Sequence, residues 1–231
     1  MSRLHLHILG SGSKGNCALI EGPQGLIMVD DGLSRRETLK RMAELGLSAD
    51  NVSALLVTHE HSDHIKGLDV WCKHWRGPLF ASRNTLASKE SLAHVPVEEF
   101  DPGDVLEIAG VRIQTYSTSH DVINPVGYRF DALGDSIGFA TDTGELSSHA
   151  IDTLKDCRVL ALESNHDVAM LRQGDYPRFL QERILSAKGH LSNDQAANAA
   201  RELVTVRTEQ LIAMHISQDN NRPSLTVKSY A

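Results

Sequence analysis

Cysteine is scarce in this sequence, and its distribution excludes a disulfide framework. Only Cys17, Cys72 and Cys157 are present. Their number is odd, they lie far apart, and no two of them form a C-x-x-C pair. Oxidising compartments favour paired cysteines, so the pattern is typical of reduced thiols in a cytosolic protein.

Long apolar runs are also missing. No stretch of about 18 apolar residues occurs, and the first residues contain no apolar core of signal-peptide length. A formal net charge of −7 does not by itself point to nucleic-acid binding. With 41% hydrophobic and 23% charged residues, the 231-residue chain is expected to form a single cytoplasmic domain, residues 1–231, that binds no membrane.

The strongest chemical signal is the sequence THEHSDH at residues 58–64, which follows a short apolar run typical of a buried strand. In an extended segment the side chains of His59 and His61 point to the same side, whereas Asp63 and His64 follow a turn at a predicted helix start. One loop therefore offers two ligands to one metal ion and two to a neighbouring ion. Imidazole and carboxylate suit zinc, manganese or iron, and the lack of cysteine ligands argues against a closed structural zinc site.

A second motif, GSGSKG at residues 10–15, matches G-x-G-x-x-G after a predicted strand. A dinucleotide site would need a helix to begin there, with its N-terminal N–H groups facing the pyrophosphate. Residues 16–22 have the pattern of another strand instead. The sequence therefore predicts no nucleotide cofactor, and the glycines are expected to shape a tight loop that could still approach a substrate phosphate.

The remaining pattern consists of runs of strands with helices between and after them. The predicted strands are residues 4–8, 16–22, 26–29, 53–57, 78–81, 104–108, 111–118, 126–130, 136–141, 158–162 and 210–214. The predicted helices are residues 34–45, 63–75, 84–93, 145–155, 176–187 and 193–204. This order favours two layered sheets flanked by helices over a strictly alternating parallel sheet.

Polar residues recur at one structural position, the end of an apolar strand. The residues concerned are His59, His120, Asp142, Glu163 and His215. Strands that lie side by side in sheets bring their ends to one edge, so these side chains are expected to meet there. Each alone has an ordinary explanation, a turn for the aspartate or a solvated side chain for a histidine. The repetition at five strand ends favours a shared site.

These residues resemble the metallo-β-lactamase superfamily, in its dinuclear hydrolase branch, over nearly the whole chain. Within it, the sequence is similar to the YycJ/WalJ-like group of bacterial nucleases. The matching stretches are residues 10–16, 57–68, 163–168, 189–193 and 215–221. The resemblance implies an α/β fold, the αββα sandwich, with two mixed β-sheets flanked by helices and the active site at the sheet edge. Residues 143–189 are too few for the cap domain that larger nucleases of the superfamily insert there.

The resemblance also implies a set of ligands for two divalent metal ions, Zn2+ or Mn2+. The first ion would bind to His59, His61 and His120. The second would bind to Asp63, His64 and His215, with Asp142 bridging the two. Asp30 would orient the ligand loop by hydrogen bonds without touching a metal ion.

The candidate catalytic residues are Asp63, His190 and Glu163. A hydroxide shared by the two ions would attack the phosphodiester in line. His190 would then protonate the leaving oxygen while Glu163 holds its imidazole. The ordinary alternative for His190 is a loop histidine before a helix, and its place in a Gly-His-Leu-Ser loop that can reach the site favours the catalytic role.

Four candidate substrate-binding residues have two open explanations each. His166 either touches the substrate phosphate or makes a loop hydrogen bond. Ser217, Asn220 and Asn221 either donate to phosphates or build a turn. The segment 171–190 carries four basic residues against two acidic ones, which could form a modest surface for a nucleic-acid backbone, although a solvated helix face is the simpler interpretation.

The sequence therefore predicts a dinuclear-metal-dependent phosphodiesterase that acts on nucleic acid, by resemblance a DNA 5′→3′ exonuclease. The alternatives are an endoribonuclease, a hydrolase of small esters, thioesters or lactams with the same metal pair, and a regulatory module that binds metal without turnover. The pairing of Glu163 with His190 suits leaving-group protonation and favours phosphodiesters. The choices between zinc and manganese and between DNA and RNA, and the oligomeric state, stay open.

Overall fold

A computed structural model describes residues 3–230, which form twelve β-strands and eight α-helices. The strands are β1 (His5–Gly10), β2 (Cys17–Gly22), β3 (Gly25–Val29), β4 (Val52–Val57), β5 (Leu79–Ser82), β6 (Val97–Phe100), β7 (Val105–Ile108), β8 (Val111–Ser117), β9 (Val126–Ala132), β10 (Asp135–Ala140), β11 (Val159–Glu163) and β12 (Gln210–Met214). The helices are α1 (Arg35–Glu44), α2 (Ser62–Ile65), α3 (Leu68–His74), α4 (Ser148–Leu154), α5 (Val168–Gln173), α6 (Arg178–Leu185), α7 (Asn193–Leu203) and α8 (Pro223–Tyr230). Within residues 3–230 no helix is long and apolar enough to cross a membrane.

The strands build two mixed sheets of six strands each. In the first, with strand order β1-β2-β3-β4-β5-β6, the first three strands are antiparallel and β3 to β6 run parallel. The second has the order β12-β11-β10-β9-β8-β7. Its strands β10, β11 and β12 run parallel, which places their carboxyl ends at the same edge. The predicted fold class of two mixed sheets flanked by helices is confirmed.

The chain forms two compact units. The N-terminal unit comprises the residues up to Thr115 together with Val122–Val126 and Phe130–Asp135. The C-terminal unit comprises Tyr116–Asp121, Gly127–Arg129 and the residues from Ser136 onward. The expectation of one domain over residues 1–231 stays a prediction.

Each unit has its own apolar core. In the N-terminal unit, strand residues such as Met28 and Leu55 pack with Trp71 of α3, and all three are buried. In the C-terminal unit, Leu160 packs with the alanine face of α7, where Ala196 is fully buried. Burial of one large apolar side chain contributes about 1.5–3 kcal/mol, so these cores fix the strands whose ends carry the polar residues. The three cysteines are free and buried, as expected for reduced thiols.

Two predicted helices are wrong. The helix over residues 63–75 is divided into α2 and α3, because the N–H of Gly67 donates to the carbonyl oxygen of Asp31 (2.7 Å) and ties the junction to the end of β3. Residues 84–93 form turns and one short 3-10 helix, Glu90–Leu92. Asn84 adopts a left-handed backbone (φ +65°) and its N–H donates to Glu99 Oε1 at 3.0 Å, which stops a helix from starting there.

Three short elements, β6, α5 and α8, were not predicted from the sequence. The signals for the two helices are present locally. Asp167 caps α5 by accepting from the N–H of Met170 (2.8 Å), and α8 begins with Pro223, which suits the first helical turn. With six and eight residues, these two helices contain only about two turns, which gives a weak periodic signal.

Gly32 lies where the chain leaving β3 passes the histidine-rich loop. Its N–H donates to the carbonyl oxygen of Asn16 (2.8 Å), and the N–H of Asn16 donates to that of Asp63 (2.7 Å). A Cβ atom on Gly32 would overlap the carbonyl oxygen of Asp63. The close approach of three backbone segments therefore requires glycine at this position.

We expect Gly32→Ala to lower the free energy of unfolding by at least about 3 kcal/mol, because a backbone segment must move to make room for the methyl group. Gly46→Ala is the matched control, since Gly46 has a positive φ (+73°) but open space around it. Backbone strain alone should cost about 1–2 kcal/mol there. Urea denaturation measures both variants, and equal losses would contradict the close approach.

Candidate active site

The histidine-rich loop follows β4 directly and turns into α2. His59 and His64 are buried, whereas His61 and Asp63 are partly exposed. His59 Nε2 and His61 Nδ1 lie 3.1 Å apart. Two nitrogen lone pairs at this distance repel each other unless a proton or a metal ion lies between them. The two nitrogens are therefore close enough either to share a hydrogen bond or to bind one metal ion.

Asp30 is a buried carboxylate beneath this loop and fixes the tautomers of two histidines. Its Oδ1 accepts from the Thr58 N–H (2.8 Å), and its Oδ2 accepts from Thr58 Oγ1 (2.8 Å) and His64 Nδ1 (2.7 Å). Since a carboxylate only accepts, His64 Nδ1 carries the proton and Nε2 keeps a lone pair. The Thr58 hydroxyl, which donates to Asp30, accepts from His59 Nδ1 at 3.0 Å and leaves His59 Nε2 with its lone pair.

Asn16 is a site residue that the sequence analysis missed. Its Nδ2 lies 2.9 Å from His64 Nε2 and 3.2 Å from Asp63 Oδ2, and its Oδ1 accepts from the Gly12 N–H at 2.7 Å. An amide N–H only donates, so this contact independently identifies His64 Nε2 as an acceptor. The glycine-rich loop at residues 10–15 therefore positions the ligand loop through Asn16, which follows the glycines directly.

Asp31, next to Asp30, is a second buried carboxylate, and only one of its two oxygens accepts a hydrogen bond within residues 3–230. Asp31 Oδ1 accepts from Thr38 Oγ1 (3.0 Å), but its Oδ2 has no hydrogen-bond partner among residues 3–230. Burial raises the pKa of Asp31 to about 7, against the lowering effect of the Thr38 hydrogen bond. Asp31 supports the loop through its backbone, since its N–H donates to the carbonyl oxygen of His64 (2.8 Å), and this role was not predicted from the sequence.

In the C-terminal unit, polar residues stand at the ends of the three parallel strands. Glu163 is the last residue of β11, Asp142 follows β10 and His215 follows β12. Asp142 and His215 have positive φ angles of +52° and +53°, and Asp30 after β3 has +59°. Left-handed backbone costs a non-glycine residue about 1–2 kcal/mol. Three such residues at strand ends are typical of functional sites, where the surrounding structure maintains the strain.

Glu163 is fully buried and connects two histidines. Its Oε1 accepts from His190 Nδ1 (2.8 Å) and from His215 Nδ1 (2.9 Å). Its Oε2 accepts from the backbone N–H groups of Thr143 (2.9 Å) and Leu191 (3.2 Å). Both imidazoles therefore carry a proton on Nδ1. The sequence predicted the pair of Glu163 with His190, but not that the same oxygen serves His215.

His120 is held by the loop that carries His190. Its Nδ1 lies 3.0 Å from the carbonyl oxygen of Gly189, so Nδ1 carries the proton and Nε2 keeps a lone pair. That Nε2 is 4.0 Å from Asp142 Oδ1, while Asp142 Oδ2 accepts from Thr141 Oγ1 (2.7 Å). One short loop thus positions both His120 and His190.

Burial and neighbouring charges shift the pKa values of His190, Glu163 and His120. Burial tends to lower the pKa of His190, but the charge and hydrogen bond of Glu163, together with the charge of Asp142, raise it above its ordinary value. Burial disfavours charge on Glu163, yet His190 and the hydrogen bonds from both histidines lower the pKa of Glu163. At His120 burial prevails over the charge of Asp142 and lowers the pKa. His190 therefore favours the charged form and His120 the neutral form.

Acidic and histidine side chains gather closely in the C-terminal unit, and the lone pairs left for a divalent metal ion are those of Asp142 and of Nε2 of His120 and His215. One ligand atom from each of Asp142, Glu163, His190 and His215 lies within 4.8 Å of the others. Imidazole and carboxylate groups at this spacing suit zinc or manganese. Histidine ligands commonly donate their second ring nitrogen to a carboxylate or carbonyl, which is the arrangement at His215 and His120.

The four candidate substrate-binding residues are all buried, at 9% exposure or less. Neither ring nitrogen of His166 has a hydrogen-bond partner in the described part of the chain, so the loop hydrogen bond considered for it is not formed. Ser217 Oγ accepts from the Asn220 N–H (3.1 Å), and Asn221 Nδ2 donates to the carbonyl oxygen of Ser164 (2.9 Å). These contacts build a turn, and a phosphate contact by any of the four residues stays a prediction.

Asn165 also escaped the sequence analysis, although it lies within one of the matching stretches. Its Nδ2 donates to the carbonyl oxygen of His215 at 3.0 Å. Its own carbonyl oxygen accepts from the N–H groups of Ser217 (2.8 Å) and from Asn221 Nδ2 (3.1 Å). Asn165 therefore fixes the turn that carries His215 after β12.

The fold and these ligands define a class of protein. The sequence model of the β-lactamase superfamily domain matches residues 26–216, and the chain belongs to this superfamily of metal-dependent hydrolases. It is 37% identical over 226 residues to the exodeoxyribonuclease YycJ of Bacillus anthracis, covering 96% of this chain and 86% of that protein. It is 34% identical over 220 residues to the exodeoxyribonuclease WalJ of Streptococcus pneumoniae, covering 93% and 82%.

The fold is shared with solved structures of lower sequence similarity. The metallo-β-lactamase fold protein YhfI from Bacillus subtilis superposes with a TM-score of 0.77 at 16% identity, covering 99% of this chain and 92% of that one. The predicted family and fold are confirmed.

We expect Asp30→Asn to weaken binding of Mn2+ or Zn2+ by roughly 10–100-fold, because the amide cannot accept from both Thr58 and His64 Nδ1. Metal titration followed by calorimetry measures the affinity. Asp50→Asn, at an exposed carboxylate of the same unit, is the matched control. Unchanged affinity in Asp30→Asn, with the fold intact by circular dichroism, would contradict the orienting role.

A second prediction concerns His166, whose burial lowers its pKa to about 4. A histidine that stays neutral in the fold takes up a proton on unfolding, so its contribution is fully present above about pH 6.5 and is lost as pH falls toward 4. The loss amounts to at most about 1.4 kcal/mol for each pH unit.

We therefore expect His166→Leu to flatten the fall in unfolding free energy between pH 7 and pH 5, measured by urea denaturation. His149→Gln, at an exposed histidine of α4, should keep the wild-type slope. An unchanged slope in His166→Leu would show that the imidazole is already protonated in the folded protein.

Proposed function

We propose that the protein is a nuclease that hydrolyses phosphodiester bonds of DNA with two divalent metal ions, removing nucleotides in the 5′→3′ direction. The observation that carries this proposal is the pair of His190 and buried Glu163, joined at 2.8 Å beside Asp142 and His215. The similarity to YycJ and WalJ, both named exodeoxyribonucleases, supports the same substrate class. The free thiols fit the cytoplasmic location expected from the sequence.

The proposed metal ligands are the seven residues implied by the family. They are His59, His61 and His120 for one ion, Asp63, His64 and His215 for the other, and Asp142 between them. When bound, the ions would neutralise the charge of the phosphate and activate the attacking water. Asp30 and Glu163 keep the Nδ1 protons of His64 and His215 in place, so that Nε2 of each ring would be the ligand atom. At His64 the ion would take the lone pair that accepts from Asn16 Nδ2.

His190 supplies the proton that the leaving oxygen requires. Glu163 accepts from its Nδ1, which orients the ring and favours the charged form. The main-chain N–H of Leu191 donates to Glu163 Oε2, so the loop and the carboxylate are connected twice. Because the side chain of His190 is 19% exposed, its proton can reach a bound substrate and can be replaced from solvent.

This arrangement suits the hydrolysis of a phosphodiester. The leaving group of a phosphodiester is an alkoxide, which departs only when it is protonated or otherwise stabilised. Proton donation by His190 addresses this step. A small-molecule hydrolase with the same metal pair would keep its ester turnover after loss of His190. A nuclease would lose its cleavage of nucleic acid.

The experiment is product analysis on end-labelled single- and double-stranded DNA and RNA with Mn2+ or Zn2+. Wild type should release mononucleotides from the 5′ end of DNA. We expect His61→Ala to abolish cleavage, and His190→Ala to lower kcat by roughly 10²–10⁴-fold. His149→Ala, at the exposed histidine of α4, should cleave as wild type does.

Other products would change the assignment. Internal cuts in RNA would identify an endoribonuclease. Hydrolysis of a generic thioester or lactam without cleavage of any nucleic acid would identify a small-molecule hydrolase. Metal binding without turnover on any of these substrates would leave only a regulatory module.

A further inference from the structure

One aromatic ring is left in solvent. Phe179 of α6 is 73% exposed, and it is the only exposed side chain among the phenylalanines, tyrosines and tryptophans of residues 3–230. A single exposed apolar side chain is ordinary by itself. This ring differs from such a case because it lies beside basic residues of α6 and close to the loops of the candidate active site.

The face of α6 that carries Phe179 leads to the candidate active site. Phe179 and Arg183 are four residues apart, so they share one face, about 6 Å apart along the helix axis. Arg183 Nε donates to Asp121 Oδ2, and Asp121 follows His120 in the chain. At the end of α6, the carbonyl oxygen of Ile184 accepts from the His190 N–H at 3.0 Å. The ring therefore stands one turn before the point where α6 contacts the loops of both histidines.

The same segment is basic in an acidic protein. Residues 171–190 contain four arginine or lysine residues and two acidic residues, while the whole chain has a net charge of −7. The side chain of Arg178, next to the ring, is 91% exposed, and that of Arg183 is 51% exposed. Lys188 is exposed two residues before His190. Arg178 Nε lies 3.2 Å from Glu182 Oε1 and Arg183 Nε lies 2.6 Å from Asp121 Oδ2, so the net positive charge beside the ring is modest.

We propose that α6 is a docking surface for a single strand of nucleic acid, with Phe179 stacking on a base close to the bond that is cut. Arg183 and Lys188 contact the phosphates between the ring and the site. The inference rests on the proposed nuclease function. An exposed ring can stack only on a base whose face is free, which a single strand offers and an intact duplex does not. The basic residues complement the phosphates of a nucleic acid.

The test compares three substrates, namely single-stranded DNA, blunt duplex DNA and bis(p-nitrophenyl) phosphate, which has no base to stack. Phe179→Ala should raise KM for single-stranded DNA roughly 5–100-fold, because stacking of one base on an aromatic ring is lost. Its kcat and KM for bis(p-nitrophenyl) phosphate should equal those of wild type. Phe179→Tyr should have the low KM of wild type for single-stranded DNA, whereas Phe179→Leu should have a raised KM like that of Phe179→Ala. Val206→Ala, at a fully exposed valine of the same unit, is the control and should change nothing.

Several results would overturn the inference. Wild-type KM for single-stranded DNA in Phe179→Ala or in Phe179→Leu would show that no base stacks on the ring. Equal losses on DNA and on bis(p-nitrophenyl) phosphate would show a structural role. A smaller molecular mass of Phe179→Ala in solution would identify a contact between copies of the chain. Failure of wild type to cut any nucleic acid, with bis(p-nitrophenyl) phosphate still hydrolysed, would instead refute the proposed function itself.

Discussion

Two buried carboxylates, Asp30 in the N-terminal unit and Glu163 in the C-terminal unit, determine what the surrounding histidines can do. A buried carboxylate is stable only when its oxygens accept hydrogen bonds, and both residues satisfy this demand with histidine Nδ1–H groups and backbone N–H groups. The same bonds direct the lone pair of His64 and of His215 to Nε2. The hydrogen bonds that keep the two carboxylates stable when buried therefore also fix the histidine tautomers that leave Nε2 available for a metal ion. The surrounding loops hold the histidines in the positions that these bonds need.

The backbone is also constrained at the ends of three strands, β3, β10 and β12. Asp30, Asp142 and His215 each adopt a positive φ directly after a strand. Such a conformation turns the side chain sharply away from the direction that the strand would give it, at a cost of about 1–2 kcal/mol. The cost is offset by specific bonds, from Thr58 to Asp30, from Thr141 to Asp142 and from Asn165 to the carbonyl oxygen of His215. Removing these bonds would leave the strain uncompensated.

Most of the fold could be predicted from the sequence because its signals are local. Apolar runs mark the strands, and a histidine or an acidic residue after five of them marks the candidate site. The helix predicted over residues 84–93 failed because Asn84 takes a left-handed conformation fixed by Glu99, fifteen positions away. The shared oxygen of Glu163 was not predictable for the same reason. It joins residues 27 and 52 positions away, and no local pattern encodes that one oxygen serves both.

The assignment of a substrate class depends on features that the shared fold does not determine. YhfI has the same fold at 16% sequence identity, so the two sheets can form from very different sequences. Residues 143–189, between Asp142 and His190, form α4, β11, α5 and α6 in this chain. They supply Glu163 to the site, place Arg183 on Asp121 beside His120, and hold the His190 N–H on Ile184. One segment thus connects His190, the loop of His120 and the exposed side chains of α6, so changes in its helices and loops can alter the surroundings of the candidate site while the strands stay the same.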